Sequence, residues 1–275
     1  MLYLLCLLPL LLLTGCGQER PVKPKKLPRA EKKKETGKQD ESWKSKHVKS
    51  MTYQEALLAK ESALASNNHE YAIDTLNRMI ALGSNLDEVQ QARLELADVL
   101  FETGELEEAE KKYKEFLALY PNSEHVEYAR YRTVLCCFYE TLDADRDQTK
   151  TKESIKLAQE FLRNDKYQNY AADIRTIMTY CTDQLFDSEM RIFAFYLEEQ
   201  KDLTAAERRL TALKEQFEPV KRMAPLVLEL ECKLAQAQGN TALFHEKQAA
   251  LAKLTPDANI TLATAAPKKA YAAQF

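Results

Sequence analysis

The residue with the clearest chemistry is Cys16, a thiol placed directly after a short apolar segment. Residues 1–13 are almost wholly apolar, and the small pair Thr14-Gly15 leads into the cysteine, completing the lipobox pattern Leu-Thr-Gly-Cys. A run of about a dozen apolar residues is too short to cross the ~30 Å hydrocarbon core of a bilayer as a helix. Such a run, ending in small residues, is typical of a secretory signal peptide. We therefore predict that residues 1–15 are removed, that Cys16 carries lipid, and that everything after it lies outside the cytoplasm.

No other set of residues has the spacing of a catalytic, cofactor or metal site. The four histidines are scattered along the chain and none lies in an H-E-x-x-H pattern (His47, His69, His125, His245). A phosphate-binding loop needs several glycines close together, and the body of the chain has no such cluster. Adjacent carboxylates such as Glu107-Glu108 are typical of a solvated helix surface. We expect a binding protein, with no enzymatic activity, no cofactor and no metal.

The cysteines of the body do not suggest a zinc site either. Cys136 and Cys137 are adjacent on a predicted helix, so their side chains diverge by about 100°. Cys181 and Cys232 stand alone among apolar neighbours, and no Cys-x-x-Cys pair is present. Buried thiols are the favoured interpretation, although an oxidising compartment leaves one long-range disulfide open.

Charge is divided unevenly between a basic leader and an acidic body. Residues 17–50 carry twelve Lys/Arg and five Asp/Glu, a formal charge of +7, whereas residues 51–275 carry 27 and 37, a charge of −10. The leader also has three prolines and few apolar residues, a composition that cannot bury enough surface to fold. We interpret residues 16–50 as a lipidated cysteine and a disordered basic tether. Its charge is either solvated or attracted to anionic lipid head groups; nucleic-acid binding is not expected.

Beyond the tether, the pattern of apolar residues predicts helices throughout. Apolar residues recur at spacings of three and four, and no long period-two alternation suggests a sheet. The glycines of the body, Gly83, Gly104 and Gly239, each fall between two helical patterns, where a left-handed residue is expected to close a turn. Thr52 and Glu55 have the spacing of a capping box at the start of the first helix. The chain is predicted to be all-α, with about ten helices.

These helices repeat in pairs. Residues 90–123 match a 34-residue tetratricopeptide (TPR) unit at eight positions (Ala97, Leu100, Gly104, Leu106, Ala109, Tyr113, Phe116, Pro121). Four weaker units precede or follow it, and stacked helix pairs of this kind bury a core that no single pair could. The prediction is a TPR solenoid of about five helix pairs over residues 51–254, followed by a flexible tail at 255–275.

The polar loop Leu142–Thr149 is unusual for a plain TPR protein and carries a family resemblance. With the lipobox, the turn Leu119–Ser123 and the stretch Ala205-Ala206-x-x-Arg209, it resembles the BamD family, the TPR lipoproteins of the outer-membrane β-barrel assembly machine. The resemblance covers about residues 13–240. It implies a lipoprotein anchored in the outer membrane and facing the periplasm. Gly17 after Cys16 agrees with outer-membrane sorting.

The resemblance also implies partners and contact residues. The family binds the periplasmic repeats of the β-barrel insertase through its C-terminal repeats, and the C-terminal signals of unfolded outer-membrane proteins through its N-terminal repeats. Association with other assembly-complex lipoproteins is implied as well. Arg209 matches a family arginine and is expected to contact the insertase, although it could instead bridge neighbouring helices. Asp145, Arg146 and Asp147 either contact partners or fold their own loop through charge-assisted hydrogen bonds.

The alternative function is that of an envelope TPR lipoprotein with another client, such as a secretion pilotin or a cell-wall coordinator. A pilotin is expected to be shorter and to lack the polar loop. A cell-wall coordinator is expected to carry a coiled-coil heptad segment, and no heptads occur here.

Overall fold

The computed structural model describes residues 47–254, and these form a succession of helices with no strand among them. The α-helices are α1 (Tyr53–Ala65), α2 (His69–Leu82), α3 (Leu86–Glu102), α4 (Leu106–Leu119), α5 (Val126–Tyr139), α6 (Thr149–Leu162), α7 (Ala171–Ala194), α8 (Leu203–Phe217), α9 (Ala224–Ala237) and α10 (Thr241–Leu254). A π-helical turn (Phe195–Glu199) follows α7, and a 3-10 turn (Lys221–Met223) precedes α9. The signal peptide, the tether and the tail lie outside the described residues.

Each helix packs against the next in the chain, which gives a succession of five helix pairs. Small residues lie where the helices cross most closely: Ala72, Ala97 and Ala109 are fully buried. Apolar side chains form consecutive clusters along the stack, and the N-terminal cluster alone extends from Val48 to Cys136. The all-α fold and its repeated helix pairs confirm the prediction of a TPR-type solenoid.

Local signals at the helix ends agree with the structure in most places. Thr52 and Glu55 form the predicted capping box, in which each side chain accepts a hydrogen bond from the other residue's backbone amide. Gly104 and Gly239 adopt positive φ angles of 79° and 69°, as a turn-closing glycine should.

The left-handed conformation predicted for Gly83 is wrong, since its φ is −58°. A Cβ at this position would come within 2.4 Å of Cγ2 of Val89. The position therefore favours glycine because the next helix approaches its backbone closely, not because of its φ angle.

The later repeats are less regular than the first two. The second helix of the third pair begins at Thr149, the last residue of the polar loop segment. Helix α7 is 24 residues long and continues into the π-helical turn. These differences fall within the third and fourth pairs, at the connection between the two helices of each pair.

All four cysteines of this region are buried thiols. Burial raises the pKa of Cys136 and Cys137, and the carboxylate of Glu110 raises both further. The Sγ of Cys181 lies 3.6 Å from Oγ of Ser154. The thiols therefore contribute to the packing of the stack as small apolar groups.

Candidate partner-binding surfaces

Two buried glutamines hold the polar loop between α5 and α6. Gln148 is only 8% exposed, and its Nε2 donates to the carbonyl oxygens of Asp143 (2.8 Å) and Arg146 (2.9 Å). Gln184 of α7 donates to the carbonyl oxygen of Leu142. At each of these contacts a buried side-chain amide donates a hydrogen bond to a backbone carbonyl of the loop. These bonds fix the conformation of the loop backbone.

The three charged residues predicted to be functional in this loop have different surroundings. Asp147 accepts hydrogen bonds from the backbone nitrogen (3.4 Å) and the hydroxyl (2.9 Å) of Thr149, so it supports the start of α6. Asp145 and Arg146 are exposed, and neither side chain hydrogen-bonds or pairs with another residue between 47 and 254. Asp147 therefore stabilises the loop, while Asp145 and Arg146 are accessible from outside.

A charge network fixes the base of the loop to the preceding helices. Nζ of Lys150 lies 2.8 Å from Oε2 of Glu140, 3.3 Å from Oε2 of Glu110 and 3.6 Å from Oε2 of Glu153. Burial lowers the pKa of Lys150, but these carboxylates outweigh that effect and raise it. Because Glu110 lies on α4 and Glu140 directly follows α5, Lys150 joins three consecutive helices beneath the loop.

The predicted insertase contact Arg209 is exposed on α8. Its guanidinium carbon is 6.0 Å from the centroid of the Tyr196 ring, at the outer limit for a cation–π contact. Tyr196 packs edge-on against Phe195 at 5.5 Å, and Phe195 is 42% exposed. Both aromatic residues belong to the π-helical turn, a deviation that occurs frequently at functional sites. Arg209 is thus loosely held beside exposed aromatic surface.

A second surface links the first helices of consecutive pairs, and sequence reasoning did not find it. Nζ of Lys60 on α1 lies 2.8 Å from Oε2 of Glu95 on α3. Asp98 on α3 accepts a hydrogen bond from the Tyr128 hydroxyl on α5 (2.8 Å) and pairs with Arg132 on α5 (3.3 Å). We call these five residues the first-helix face.

Asp98 is the centre of a compact polar and aromatic cluster within this face. The buried Tyr113 hydroxyl of α4 donates to the same Oδ1 of Asp98 and accepts from Nε of Arg132 at 3.0 Å. The Arg132 guanidinium also lies over the Phe101 ring, 3.9 Å from its centroid. Burial and the Asp98 charge raise the pKa of both Tyr113 and Tyr128, which keeps both hydroxyls protonated as donors.

Aromatic side chains extend this surface towards the fourth pair. The Tyr131 ring stacks on Tyr170 with centroids 4.3 Å apart and an interplanar angle of 10°. The Tyr131 hydroxyl donates to Oδ2 of Asp173 at 3.4 Å, and burial with the Asp173 charge raises its pKa to about 12. One signal in the sequence could have revealed the cluster: Asp98 and Arg132 are 34 residues apart, so they occupy the same position in successive repeats with opposite charge.

The described residues contain no group of three or more His, Cys, Asp or Glu side chains arranged to hold a metal ion. Among the helices between residues 47 and 254, none combines the length and apolar character needed to span a bilayer. The predicted lipidation site, Cys16, lies before this range and stays a prediction.

The repeated helix pairs define a TPR-type helical-repeat protein. A sequence model of the YfiO family, described as an outer membrane lipoprotein, matches residues 49–254, well over half of the chain. The chain therefore belongs to the YfiO family of outer membrane lipoproteins. This confirms the family resemblance seen in the sequence and the predicted outer-membrane location.

A curated relative is similar to one part of the chain. The outer membrane protein assembly factor BamD of Caulobacter vibrioides is 31% identical over 93 residues. The matched segment covers 34% of this chain and 30% of the relative, so the chain aligns with less than a third of the relative's length.

Proposed function

We propose that this protein is a subunit of the complex that assembles β-barrel proteins in the outer membrane. In this role it binds the insertase and unfolded outer-membrane proteins from the periplasmic side. The observation that carries the proposal is membership of an outer membrane lipoprotein family, joined with similarity to a protein named as an assembly factor. The helix-pair stack supports it, since TPR solenoids present extended surfaces suited to protein partners.

The insertase is assigned to the C-terminal two pairs, with Arg209 in the contact. Its exposed guanidinium lies beside Tyr196 and the accessible ring of Phe195. Interface hot spots are enriched in arginine and aromatic residues, and an arginine can make bidentate bonds to a carboxylate. The exposed loop residues Asp145 and Arg146 are assigned to a contact with the insertase or with another subunit of the complex.

Unfolded outer-membrane proteins are assigned to the first two or three pairs. The first-helix face offers the half-buried ring of Tyr128 beside the partly exposed carboxylate of Asp98. Such surfaces suit an extended peptide, whose side chains need apolar contacts and whose backbone needs polar partners.

The experiment is co-purification from detergent-solubilised envelopes, using wild type, Arg209→Ala and Arg208→Ala. Arg208 is the neighbouring exposed arginine on the same helix, so it controls for loss of charge and for helix propensity. We expect Arg209→Ala to recover the insertase at least severalfold less efficiently, because removing a desolvated interface arginine often costs more than about 1 kcal/mol. Arg208→Ala should behave as wild type, and both variants should fold because alanine favours helices.

A wild-type protein that recovers no β-barrel insertase would contradict the proposal. The identity of whatever co-purifies would then favour the alternative, an envelope TPR lipoprotein serving a secretion system or the cell wall.

A further inference from the structure

The negative charge of the folded body is concentrated in its first two helix pairs. Residues 51–119 contain fourteen Asp/Glu and six Lys/Arg, a formal charge of −8. Residues 120–254 contain twenty-two Asp/Glu and nineteen Lys/Arg, a charge of −3. A ligand approaching the N-terminal pairs therefore meets a negative field that favours cationic over anionic segments.

The two cations of the first-helix face are already paired with carboxylates of α3. Lys60 has a side-chain exposure of 11% and contacts Glu95 at 2.8 Å. Arg132 has a side-chain exposure of 15%, contacts Asp98 at 3.3 Å and is covered by the Phe101 ring. A ligand carboxylate approaching either cation would also meet the carboxylate already paired with it, and the two like charges would repel each other. Displacing that acidic partner instead would leave a partly buried Asp or Glu uncompensated, which is costly.

The first-helix face instead has a hydrogen-bond acceptor, Oδ2 of Asp98, beside aromatic rings. The three contacts of Asp98 with Tyr113, Tyr128 and Arg132 all use Oδ1. Its Oδ2 receives no donor from residues 47–254, and the side chain is 27% exposed. Tyr128, half-buried next to it, lies 6.1 Å from the Tyr170 ring between centroids. This arrangement of a carboxylate oxygen next to tyrosine rings is complementary to a ligand in which a cationic hydrogen-bond donor lies close to an aromatic side chain.

We propose that the first-helix face recognises two neighbouring side chains of an extended peptide, one aromatic and one Lys or Arg, and does not bind the free C-terminal carboxylate. The inference rests on the substrate role proposed above and deepens it. The peptide's aromatic ring packs against Tyr128, and its cation pairs with Oδ2 of Asp98.

The test measures binding of fluorescent peptides to the purified mature protein by anisotropy. One short peptide of alternating polar and aromatic residues, with a lysine beside the aromatic residue nearest its end, is made as the free acid and as the C-terminal amide. Two further amides replace that aromatic residue by alanine or the lysine by glutamate. The proteins are wild type, Asp98→Asn and Glu107→Gln, the last being an exposed carboxylate of α4 that is not part of the face.

We expect the acid and the amide to bind within about twofold of each other, since both cations on the face are already paired with carboxylates. The alanine and glutamate peptides should each bind at least about fivefold more weakly. Asp98→Asn should lose most of the preference for lysine over glutamate, and Glu107→Gln should keep it. Tyr128→Ala should lose most of the preference for the aromatic over the alanine peptide, whereas Tyr128→Phe, which keeps the ring and removes only the hydroxyl that donates to Asp98, should retain it.

An acid that binds about tenfold or more tightly than the amide would overturn the inference while supporting the proposed substrate role, because a charge-assisted bond to a captured carboxylate is worth about that much. Equal binding of the lysine and glutamate peptides to wild type would also overturn it. Binding of none of the peptides would overturn the substrate role itself.

Discussion

Asp98 holds three donors on one carboxylate oxygen, and the buried Tyr113 hydroxyl is central to that arrangement. Tyr113 donates to Asp98 and accepts from Arg132, so it connects a carboxylate on α3 with a guanidinium on α5. Removing the hydroxyl leaves Asp98 with Tyr128 and Arg132, and it leaves Arg132 with one fewer acceptor. Removing the Tyr113 hydroxyl therefore eliminates charge-assisted hydrogen bonding and creates no cavity.

We predict that Tyr113→Phe lowers the free energy of unfolding by about 1–3 kcal/mol, the cost of losing hydrogen bonds to charged groups. Urea denaturation followed by circular dichroism measures it. Tyr120→Phe is the matched control, because the Tyr120 hydroxyl has no hydrogen bond to any residue in the described range. Equal effects of the two substitutions would show that the Asp98 cluster contributes nothing to stability.

Single residues also mark where sequence reasoning succeeds and where it stops. The Thr52–Glu55 cap was predictable because both partners lie three residues apart in one local motif. The Asp98–Arg132 pair joins helices from different repeats and depends on how closely they stack. Gly83 was predicted to be a turn residue because of a left-handed conformation that it does not have. Glycine is favoured there because Val89 lies close, and that contact depends on the packing of α3.

At the scale of helices, the tight crossing at Ala109 controls the packing of the second pair. Ala109 is fully buried on α4, next to the buried Tyr113 and Phe116. Extra methylene groups in a packed core force neighbouring side chains and backbone to shift.

We predict that Ala109→Leu destabilises the fold by about 1–3 kcal/mol, the usual cost of overpacking, measured as a lower melting temperature. The matched control is Ala118→Leu, the same substitution at an exposed position of the same helix, which should have little effect. An unchanged melting temperature for Ala109→Leu would contradict the repeat register assigned to residues 90–123.

The polar loop is an element whose existence could be predicted and whose anchoring could not. The sequence pointed to Asp145, Arg146 and Asp147, yet the loop is held mainly by Gln148 and by Gln184, which comes from α7. Glutamine carries little positional information in a sequence, so its burial becomes evident only from the packing of α7 against the loop.

We predict that Gln148→Ala costs about 1–3 kcal/mol of stability, since the Arg146 carbonyl loses its donor and the Asp143 carbonyl keeps only the backbone amide of Arg146. Amide hydrogen exchange should increase at residues 142–149 more than elsewhere. Gln159→Ala, at an exposed site on α6, serves as the control. Slow exchange in the loop of the Gln148 variant would show that Gln184 alone suffices to hold it.

At the scale of the whole molecule, the helix-pair stack was predictable because the repeat recurs several times. It can be recognised even though most of its units match the pattern weakly. One unit matches the 34-residue pattern at eight positions, and the others share its small and large residues at fewer of them. The lengths of α7 and of the π-helical turn could not be predicted, because helical periodicity continues through both. The surfaces that bring distant residues together depend on that stacking.

The anchoring of the molecule provides the last prediction, and it depends on Cys16. Between residues 47 and 254 no helix is suited to span a membrane, and the predicted lipid at Cys16 is joined to a segment of charge +7. Lipid chains supply most of the membrane affinity in such a combination, while a basic segment adds a weaker, salt-sensitive contact. Cys16→Ser should therefore release the protein into the soluble fraction after a high-salt wash, whereas wild type should stay in the membrane pellet. Cys6→Ser is the control, because Cys6 lies in the predicted signal peptide and its substitution should leave fractionation unchanged. A Cys16→Ser protein that stays in the pellet through the wash would show that another part of the chain holds it to the membrane.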